Sequence, residues 1–447
     1  MISRSTIDQV HETARVEEII GDFVTLKKSG SNFKGLSPFS QEKTPSFMVS
    51  PVKQIWKDFS SGKGGNVVAF LMEHEHFSYP EAIRFLAKRY NIEIEETEQT
   101  QEEKEKANSK ESLYLVNQYA QESFEKDLWE YSEGIAIGLS YFKERGFKDE
   151  TIRFFGLGYA REMKDNFYQK AIKAGYSEEY LVSSGLVIKN ERGAIDRFRG
   201  RVIFPIRTMA GRVQGFGGRI LSSTAKTAKY LNSPESEVYH KSQVLYGIYE
   251  SKKAIAKEDA CYLVEGYTDV IQLFQKGIEN VVSSSGTALT SEQIRLIRRL
   301  TSNIVVLFDG DVAGLRAAIR GVDLILEQGM NVKICSFPEG EDPDSFAKSH
   351  SKEEINNYLK TEAKDFIEFK THILLKEAKQ DPVKKAVTVR EIIQSISKIP
   401  DPIQQEIYIK QCAVAMEVSE PVLFNTLAQE QNKNQKLVRK VENKPEE

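Results

Sequence analysis

The stretch from residue 260 to residue 311 limits the possible folds more than any other part of the chain. It begins with Ala-Cys-Tyr-Leu-Val-Glu-Gly and ends with Ile-Val-Val-Leu-Phe-Asp-Gly-Asp. Each half is a short apolar run that stops at a carboxylate and a glycine, which is typical of a buried parallel strand that leads into a functional loop. Glu265 ends the first run, and Asp309 and Asp311 end the second.

The sequence around this stretch predicts a βαβαβαβ unit. We expect strands at 260–265, 280–284, 303–308 and 331–337, and helices at 269–276, 291–300 and 313–328. Such alternation indicates a parallel sheet between helices, with functional residues at the carboxyl ends of the strands. Glu265, Asp309 and Asp311 would therefore lie at the same edge of the sheet.

Carboxylates that converge in this way predict a divalent-metal site, because like charges at close range need a cation among them. Gly310 permits the sharp turn that would let Asp309 and Asp311 reach one metal. Asp342 and Asp344, after the fourth strand, add further oxygen ligands. Together these acids could hold two or three Mg²⁺ ions, as phosphoryl transfer requires. A lone Asp-x-Asp is usually only a turn, but two acidic strand ends in one series are more specific.

Arginines and glycines recur in two predicted strands that precede this unit. The basic residues of the region are Arg197, Arg199, Arg201, Arg212, Arg219, Lys229 and Lys241. Neighbouring glycines would let a phosphate backbone approach, and Phe198, Phe216 and Tyr230 could stack on bases. Isolated basic residues usually only decorate the solvent face of a strand. Their repetition here, with few acids between them, favours a nucleic-acid surface.

Length and composition predict a multi-domain globular protein, and the alternation of strands and helices predicts the α/β class. A chain of 447 residues exceeds what one core usually supports, and 40% hydrophobic with 28% charged residues is typical of globular proteins. We expect a small β domain at 1–97, a linker at 98–111, a basic region at 112–244, the parallel sheet at 245–347, a helical subdomain at 348–430 and a disordered tail or linker at 431–447.

Several classes of protein are disfavoured. No apolar run is long enough to cross a bilayer and the N-terminus has no signal-like core, so we expect no membrane association and a cytoplasmic location. Three scattered cysteines, with no Cys-x-x-Cys, suit a reducing compartment and disfavour a thiolate zinc site. The net charge of −3 does not by itself indicate nucleic acid, although a local basic surface still can.

Motifs along most of the chain resemble bacterial DnaG-type DNA primases. Val264-Glu-Gly-Tyr-Thr-Asp-Val and Phe308-Asp-Gly-Asp-Val-Ala-Gly resemble the toprim domain of that family. Arg-Phe-Arg-x-Arg at 197–201, Gly-Phe-Gly-Gly-Arg at 215–219 and Lys-Tyr-Leu-Asn-Ser at 229–233 resemble its basic ridge. The segments at 34–47, 62–66 and 70–73 resemble its N-terminal zinc-binding domain, which implies that the domain at 1–97 recognises the template.

The resemblance implies a DNA-dependent RNA polymerase that makes short RNA primers on single-stranded DNA for chromosome replication. It implies nucleic-acid or nucleotide contacts by Arg199, Arg201, Arg219, Lys229, Tyr230, Asn232 and Lys241. It implies catalysis by Glu265, Asp309 and Asp311, with Mg²⁺ or Mn²⁺ also held by Asp269, Asp342 and Asp344. Glu265 could instead act in proton transfer. Another toprim enzyme, such as a topoisomerase or a nuclease, and a non-enzymatic single-strand-binding protein are the alternatives.

The implied partners are a single-stranded DNA template, ribonucleoside triphosphates and the replicative helicase. We expect the chain to be a monomer that acts at the replication fork in the bacterial nucleoid. Members of the family usually continue into a helicase-binding domain, which we expect to lie outside this chain.

The first domain departs from the family at the zinc ligands. The family carries Cys-Pro-Phe-His and then Cys-x-x-Cys, where this chain has Ser37, Ser40, Asp58 and Ser61. Neutral hydroxyls are poor zinc ligands, and one aspartate cannot close a tetrahedral site. We therefore expect this domain to fold without zinc. Its core would then consist of Phe33, Phe47, Ile55, Trp56, Phe59 and Phe70.

Overall fold

The structure is a computed structural model that describes residues 2–95, 101–221, 228–286, 288–308, 312–338, 340–371 and 381–442. Within these ranges, side chains are not described at 101–104, 106–107, 312–319 and 434–442. The chain divides into two compact units, Met1–Ser112 and Leu113–Glu447. The described helices include none that is long and apolar enough to span a bilayer.

The first unit is an antiparallel sheet covered by helices. Its five strands are hydrogen-bonded in chain order. The strands are β1 (Lys27–Ser29), β2 (Asn32–Gly35), β3 (Phe47–Ser50), β4 (Ile55–Asp58) and β5 (Gly64–Gly65). The helices are α1 (Arg4–Thr13), α2 (Val16–Gly21), α3 (Val67–His74) and α4 (Tyr79–Arg89). A capping box between Ser78 and Glu81, with a proline in the first turn, starts α4.

The predicted core of the first unit is correct in part. Phe47, Trp56 and Phe70 are buried, and the Phe47 and Trp56 rings stack with centroids 5.5 Å apart. Phe33 is only half-buried. The prediction that Ile55 and Phe59 belong to the core is wrong, because they are 42% and 68% exposed. Burial alternates along β4 so that Ile55 faces outward, and Phe59 lies in the turn after that strand.

Helix α5 (Gln101–Glu130) runs across the division between the units. The expected linker at 98–111 is therefore helical from residue 101, and residues 98–100 lie outside the described residues. A π-helical segment (Gly134–Leu139), α6 (Ser140–Glu144) and α7 (Asp149–Phe154) follow α5.

The first half of the second unit contains a four-stranded antiparallel sheet in the order β11-β10-β9-β6, together with the hairpin β7-β8. The strands are β6 (Gly158–Ala160), β7 (Val187–Asn190), β8 (Gly193–Asp196), β9 (Arg201–Arg207), β10 (Val213–Ile220) and β11 (Tyr230–Asn232). Helices α8 (Asn166–Lys173) and α9 (Glu178–Ser183) separate β6 from β7, and a 3₁₀ turn (Lys241–Gln243) follows β11. We call β9, β10 and β11 the basic sheet.

The second half contains the predicted parallel sheet, in the order β13-β12-β14-β15, with β16 added antiparallel at the end. The strands are β12 (Cys261–Val264), β13 (Val281–Ser283), β14 (Asn303–Phe308), β15 (Asn331–Ser336) and β16 (Lys364–Asp365). The helices around them are α10 (Ile248–Glu258), α11 (Tyr267–Gln275), α12 (Ser291–Arg298), α13 (Val312–Glu327), α14 (Pro343–Ser349) and α15 (Lys352–Glu362). This architecture confirms the predicted α/β fold.

The chain ends in helices. Residues 366–371 are helical, and α16 (Pro382–Ile396), α17 (Pro402–Met416) and α18 (Glu420–Glu442) follow. The expectation of a disordered tail or linker at 431–447 is wrong for 431–442, which continue α18. Residues 443–447 lie outside the described residues.

Candidate active site

The parallel sheet has a topological switch point at its centre. From β12, the chain goes to β13 on one side and then to β14 on the other. Ligands of open α/β sheets bind at the carboxyl ends of the strands at this point. Glu265 follows β12 directly, and the strand pairing of Leu263 with Val306 brings it level with Phe308, the last residue of β14. Asp309 and Asp311 come next in the sequence but lie outside the described residues.

The backbone around Glu265 is held by several hydrogen bonds. Ser283 Oγ donates to the carbonyl oxygen of Glu265 at 2.6 Å, while the Glu265 side chain is exposed. Asp269 Oδ2 accepts from the backbone N–H of Gly266 at 2.9 Å, which caps α11. Asp269 therefore fixes the turn that presents Glu265, in addition to the metal-ligating role expected from the sequence.

Two acids after β15 also have structural partners. Asp342 Oδ1 caps α14 by accepting from the N–H of Ser345 at 2.7 Å. Asp344 is buried, and its Oδ2 accepts from Arg145 at 2.8 Å and from Lys348 at 2.9 Å. Its other oxygen is buried without a hydrogen-bond partner, as is Oε2 of Glu341.

These orphaned oxygens are the observation that fits a cation. A buried carboxylate oxygen without a donor is costly, and a divalent ion is a suitable partner for oxygen ligands of this kind. Within the described ranges, however, no three histidine, cysteine or acidic side chains lie close enough to hold a metal. A complete site at this edge would therefore need Asp309 or Asp311, the acids predicted for the end of β14.

A cavity of about 470 Å³ opens at the carboxyl ends of β12, β13 and β14. Glu265 and Ser284 line it together with Phe308, and Arg320 of α13 contributes a positive charge. A cavity of this size is typical of sites for small ligands.

The basic sheet contacts this edge through β11. Tyr267, two residues after Glu265, donates its hydroxyl to Asn232 Oδ1 at 2.7 Å. Asn232 Nδ2 in turn donates to the carbonyl of Ser285, just after β13, at 3.3 Å. Strand β10 passes so close that a Cβ on Gly217 would lie 2.5 Å from the Tyr267 ring. The glycine here accommodates a buried ring of the protein, whereas the sequence suggested that such glycines admit phosphate.

The predicted nucleic-acid residues differ in exposure. Arg199 and Lys229 are exposed and Lys241 is half-exposed. Arg219 pairs across the sheet with Tyr230, which is 37% exposed, and donates to its hydroxyl at 2.9 Å. These five side chains can reach solvent and therefore remain candidates for contact with nucleic acid.

Arg201 is placed differently from the expectation. It is only 5% exposed, and its guanidinium donates to the carbonyls of Gly218, Ala228 and Lys229 at 3.2 to 3.4 Å. Burial lowers the pKa of Arg201. This geometry favours a brace between β9 and the segment before β11 over a direct contact with a phosphate.

The stacking role expected of two phenylalanines is wrong. Phe198 and Phe216 are 1% and 0% exposed and pack against each other in the core, with centroids 6.1 Å apart. Tyr230 is the one ring of the three predicted stackers that is accessible. Two further basic residues of the predicted surface differ in exposure. Arg212 is exposed and lies over the Tyr114 ring, whereas Arg197 is half-buried.

Sequence reasoning missed Tyr141 and Arg145. The Tyr141 ring lies near two guanidinium groups, with its centroid 5.5 Å from Cζ of Arg145 and 5.1 Å from Cζ of Arg219. Burial raises the pKa of Tyr141 to about 12, so the ring stays neutral. Since Arg145 also binds Asp344, these residues link the basic sheet to the acids after β15. The two residues are four apart, in α6 and directly after it, a spacing so common on helices that it gave no signal.

Comparisons with known proteins agree with this arrangement. The DNA primase of Clostridium acetobutylicum is 36% identical over 447 residues, which cover 99% of this chain and 72% of that protein. The DNA primase of Halalkalibacterium halodurans is 36% identical, with coverage of 96% and 71%. The chain belongs to the bacterial DnaG-type DNA primase family. It is therefore a nucleotidyltransferase, a DNA-directed RNA polymerase.

Solved structures of the family have the same fold. The zinc-binding and RNA polymerase domains of the Aquifex aeolicus primase match with a TM-score of 0.63 and 32% identity, covering 94% of this chain and 98% of that one. A DnaG primase catalytic domain bound to ssDNA matches with a TM-score of 0.64 and 30% identity, covering 70% and 99%. Primases with a toprim domain use divalent metal ions.

Four family models match separate segments. They are described as CHC2 zinc finger (residues 2–102), DNA primase catalytic core, N-terminal domain (124–252), Toprim-like (262–347) and DnaB-helicase binding domain of primase (367–420). The last match disagrees with the expectation that no helicase-binding domain lies in this chain. The first match shows that the zinc-finger pattern extends over the first unit despite the serines at its ligand positions.

Proposed function

We propose that nucleotide addition takes place at the carboxyl edge of the parallel sheet, between the acids and the basic sheet. The observation that carries this proposal is the pair of hydrogen bonds made by Asn232, which accepts from the hydroxyl of Tyr267, two residues after Glu265, and donates to the carbonyl of Ser285. They join β11, with its proposed nucleic-acid contacts, to the proposed metal-binding edge, and template-directed polymerisation needs this juxtaposition.

The acids would bind the divalent ions. Glu265, Asp309 and Asp311 are the proposed catalytic ligands, and Asp269, Asp342 and Asp344 the further oxygen donors. Two or three Mg²⁺ or Mn²⁺ ions would supply charge neutralisation for the triphosphate and a lower pKa for the attacking 3′-hydroxyl. Glu265, which is exposed, could also accept that proton.

The basic side chains would bind and orient the nucleic acid and the nucleotide. Arg199, Arg219, Lys229 and Lys241 would contact phosphates, since these side chains reach solvent. Tyr230 would stack on a base while Arg219 holds its hydroxyl. Arg201 and Asn232 would act indirectly. Arg201 would stabilise the basic sheet, and Asn232 would hold Tyr267 in position.

The partners follow from the same assignment. We propose single-stranded DNA as template, ribonucleoside triphosphates as substrates and a monomeric enzyme that acts at the replication fork, in the cytoplasm. The match of residues 367–420 to a helicase-binding domain supports contact with the replicative helicase through the C-terminal helices. We also propose that the first unit binds no zinc.

The test of the site is labelled ribonucleotide incorporation on single-stranded DNA with Mg²⁺. We expect Glu265→Gln and Asp309→Ala each to lower the rate by about 100-fold or more, since a lost metal ligand removes several kcal/mol of charge stabilisation. Glu258→Gln is the matched control, because this exposed glutamate lies at the opposite end of β12. Full activity of both site variants would contradict the proposal.

A further inference from the structure

Of the four positions that hold the zinc ligands in the primase family, one is a buried aspartate in this chain and the other three are serines. Asp58, at the end of β4, has no exposed surface, and Ser37 is 9% exposed. Ser40 and Ser61 complete the four positions. A buried carboxylate needs hydrogen-bond donors or a cation, because desolvation of its charge is otherwise very costly.

Serines and a backbone amide provide those donors. Asp58 Oδ2 accepts from Ser37 Oγ at 2.8 Å, from the N–H of Ser61 at 3.2 Å and from Ser61 Oγ. Ser60 Oγ lies 3.0 Å from both carboxylate oxygens. Ser40 Oγ is 2.6 Å from Ser60 Oγ. Since each hydroxyl carries one proton, the consistent arrangement has Ser40 donating to Ser60 and Ser60 donating to Asp58.

The same serines hold the neighbouring turns. Ser37 Oγ accepts from the N–H groups of Phe39 and Ser40, both at 3.1 Å. Glu42 Oε1 accepts from the N–H groups of Ser37 at 2.7 Å and Ser46 at 2.9 Å. The hydrogen bonds therefore connect the turn at 37–40 with the turn at 58–61 and with the start of β3.

This donor set does not fit zinc. The four ligand positions offer one carboxylate and three neutral hydroxyls, whereas zinc sites use thiolate, imidazole and carboxylate. Among the described residues, every buried polar side-chain atom of this cluster already has a hydrogen-bond partner, so none needs a metal ion as its partner. A zinc ion would have to displace donors that Asp58 already has.

We propose that this network of hydrogen bonds, centred on Asp58, replaces zinc as the cross-link between the two turns. The inference rests on the proposal that the first unit binds no zinc. A structural zinc joins ligands from separate turns and so contributes to folding. Here the Asp58 carboxylate occupies the junction, and the hydroxyls of Ser37, Ser60 and Ser61 join it from both sides.

The charge state of Asp58 agrees with this role. Burial raises the pKa of Asp58, but hydrogen bonds from Ser61, Ser37 and Ser60 outweigh burial, so that the pKa lies below its ordinary value. The carboxylate is therefore ionised near neutral pH, and hydrogen bonds to an ionised acceptor are the stronger kind.

The experiment uses the full chain, purified without chelator, and combines elemental analysis for zinc with amide hydrogen exchange of peptides from the two turns. We expect less than about 0.1 zinc per chain, and exchange that EDTA does not change. Asp58→Asn should speed exchange in both turns by at least about tenfold, and Ser61→Ala by less, because one donor is lost in place of the charged acceptor. Asp8→Asn, at an exposed position of α1, is the matched control and should leave exchange unchanged.

A second variant tests whether the four positions have the geometry of a zinc site, even if Asp58→Asn unfolds the unit. The combination of Ser37→Cys, Ser40→His, Asp58→Cys and Ser61→Cys should bind about one zinc per chain and make protection of the turns depend on the metal. About one zinc in the unmodified chain would overturn the absence of zinc and this proposal together. A zinc-free chain in which Asp58→Asn exchanges as slowly as the unmodified chain would overturn the network alone.

Discussion

Arg199 and Arg201 are two residues apart in a motif of the primase family, yet their side chains have different surroundings. Arg199 is exposed, whereas Arg201 is buried and donates to backbone carbonyls. A charge in contact with solvent can bind phosphate by releasing counterions, but a guanidinium that satisfies carbonyls contributes to the fold. Residue type and spacing alone could not separate these roles.

The two arginines therefore provide a matched pair of substitutions. Arg201→Met should lower the free energy of unfolding by about 2 kcal/mol, because it removes the hydrogen bonds that the buried guanidinium donates to the carbonyls of Gly218, Ala228 and Lys229. Arg199→Met should leave stability unchanged but weaken binding to single-stranded DNA, and reduce the slope of log K against log salt by about 0.7. Chemical denaturation and binding titrations at several salt concentrations check both effects. Equal effects of the two variants on stability would contradict the assignment.

At the scale of elements, the parallel sheet was predictable and the faces of the basic sheet were not. Strands of a parallel sheet are buried on both sides, so their apolar runs mark them directly, and β14 was predicted with its observed bounds of 303–308. The basic sheet also packs on both faces, because the first six residues of β9 are all buried. Its alternation of arginine and aromatic residues therefore did not indicate which side chains reach solvent.

The acids of the site were predictable only in part for a related reason. Their position at the carboxyl ends of strands follows from the βαβ pattern, which is local in the sequence. One of the two partners of Asp344 is not local, since Arg145 lies 199 residues away. Such contacts arise from packing between elements that are distant in the sequence, so no pattern within one segment predicts them.

Helix α8 has a distant cap that predicts a pH dependence. Asp196 of β8 accepts from the N–H groups of Phe167 at 2.6 Å and Tyr168 at 3.0 Å. Burial raises the pKa of Asp196 from its usual 3.8 to about 6, although these two donors lower it. Because the folded pKa is above the unfolded value, the contribution of Asp196 to stability is fully present below about pH 4 and is lost as the pH rises through about 6.

We expect the Asp196 carboxyl carbon to titrate with a midpoint near pH 6 in NMR spectra of the labelled chain. Asp196→Asn should remove this midpoint and, since it cannot ionise, flatten the loss of stability between about pH 4 and 6. Asp149→Asn, at an exposed position in the first turn of α7, is the control that should keep both. A midpoint near the usual value of 3.8 in the unmodified chain would contradict the prediction.

At the scale of the whole molecule, the two units have separate hydrophobic cores. The core cluster of the first unit is formed within residues 10–87, and the clusters of the second begin at residue 116. A unit with its own core can fold alone. The proposed metal-binding edge and the basic sheet lie entirely in the second unit, whereas the Asp58 network lies entirely in the first.

Deletion of the first unit should therefore separate initiation from elongation. A fragment of residues 108–447 should extend a primer already annealed to a template at a rate within about threefold of the full chain, because its site is complete. On single-stranded DNA alone it should start new primers at least about tenfold more slowly, since we expect the first unit to supply a second, tethered contact with the template. Glu265→Gln in the fragment should abolish both reactions, which excludes a contaminating polymerase. Unimpaired initiation by the fragment would show that the first unit has no part in template recognition.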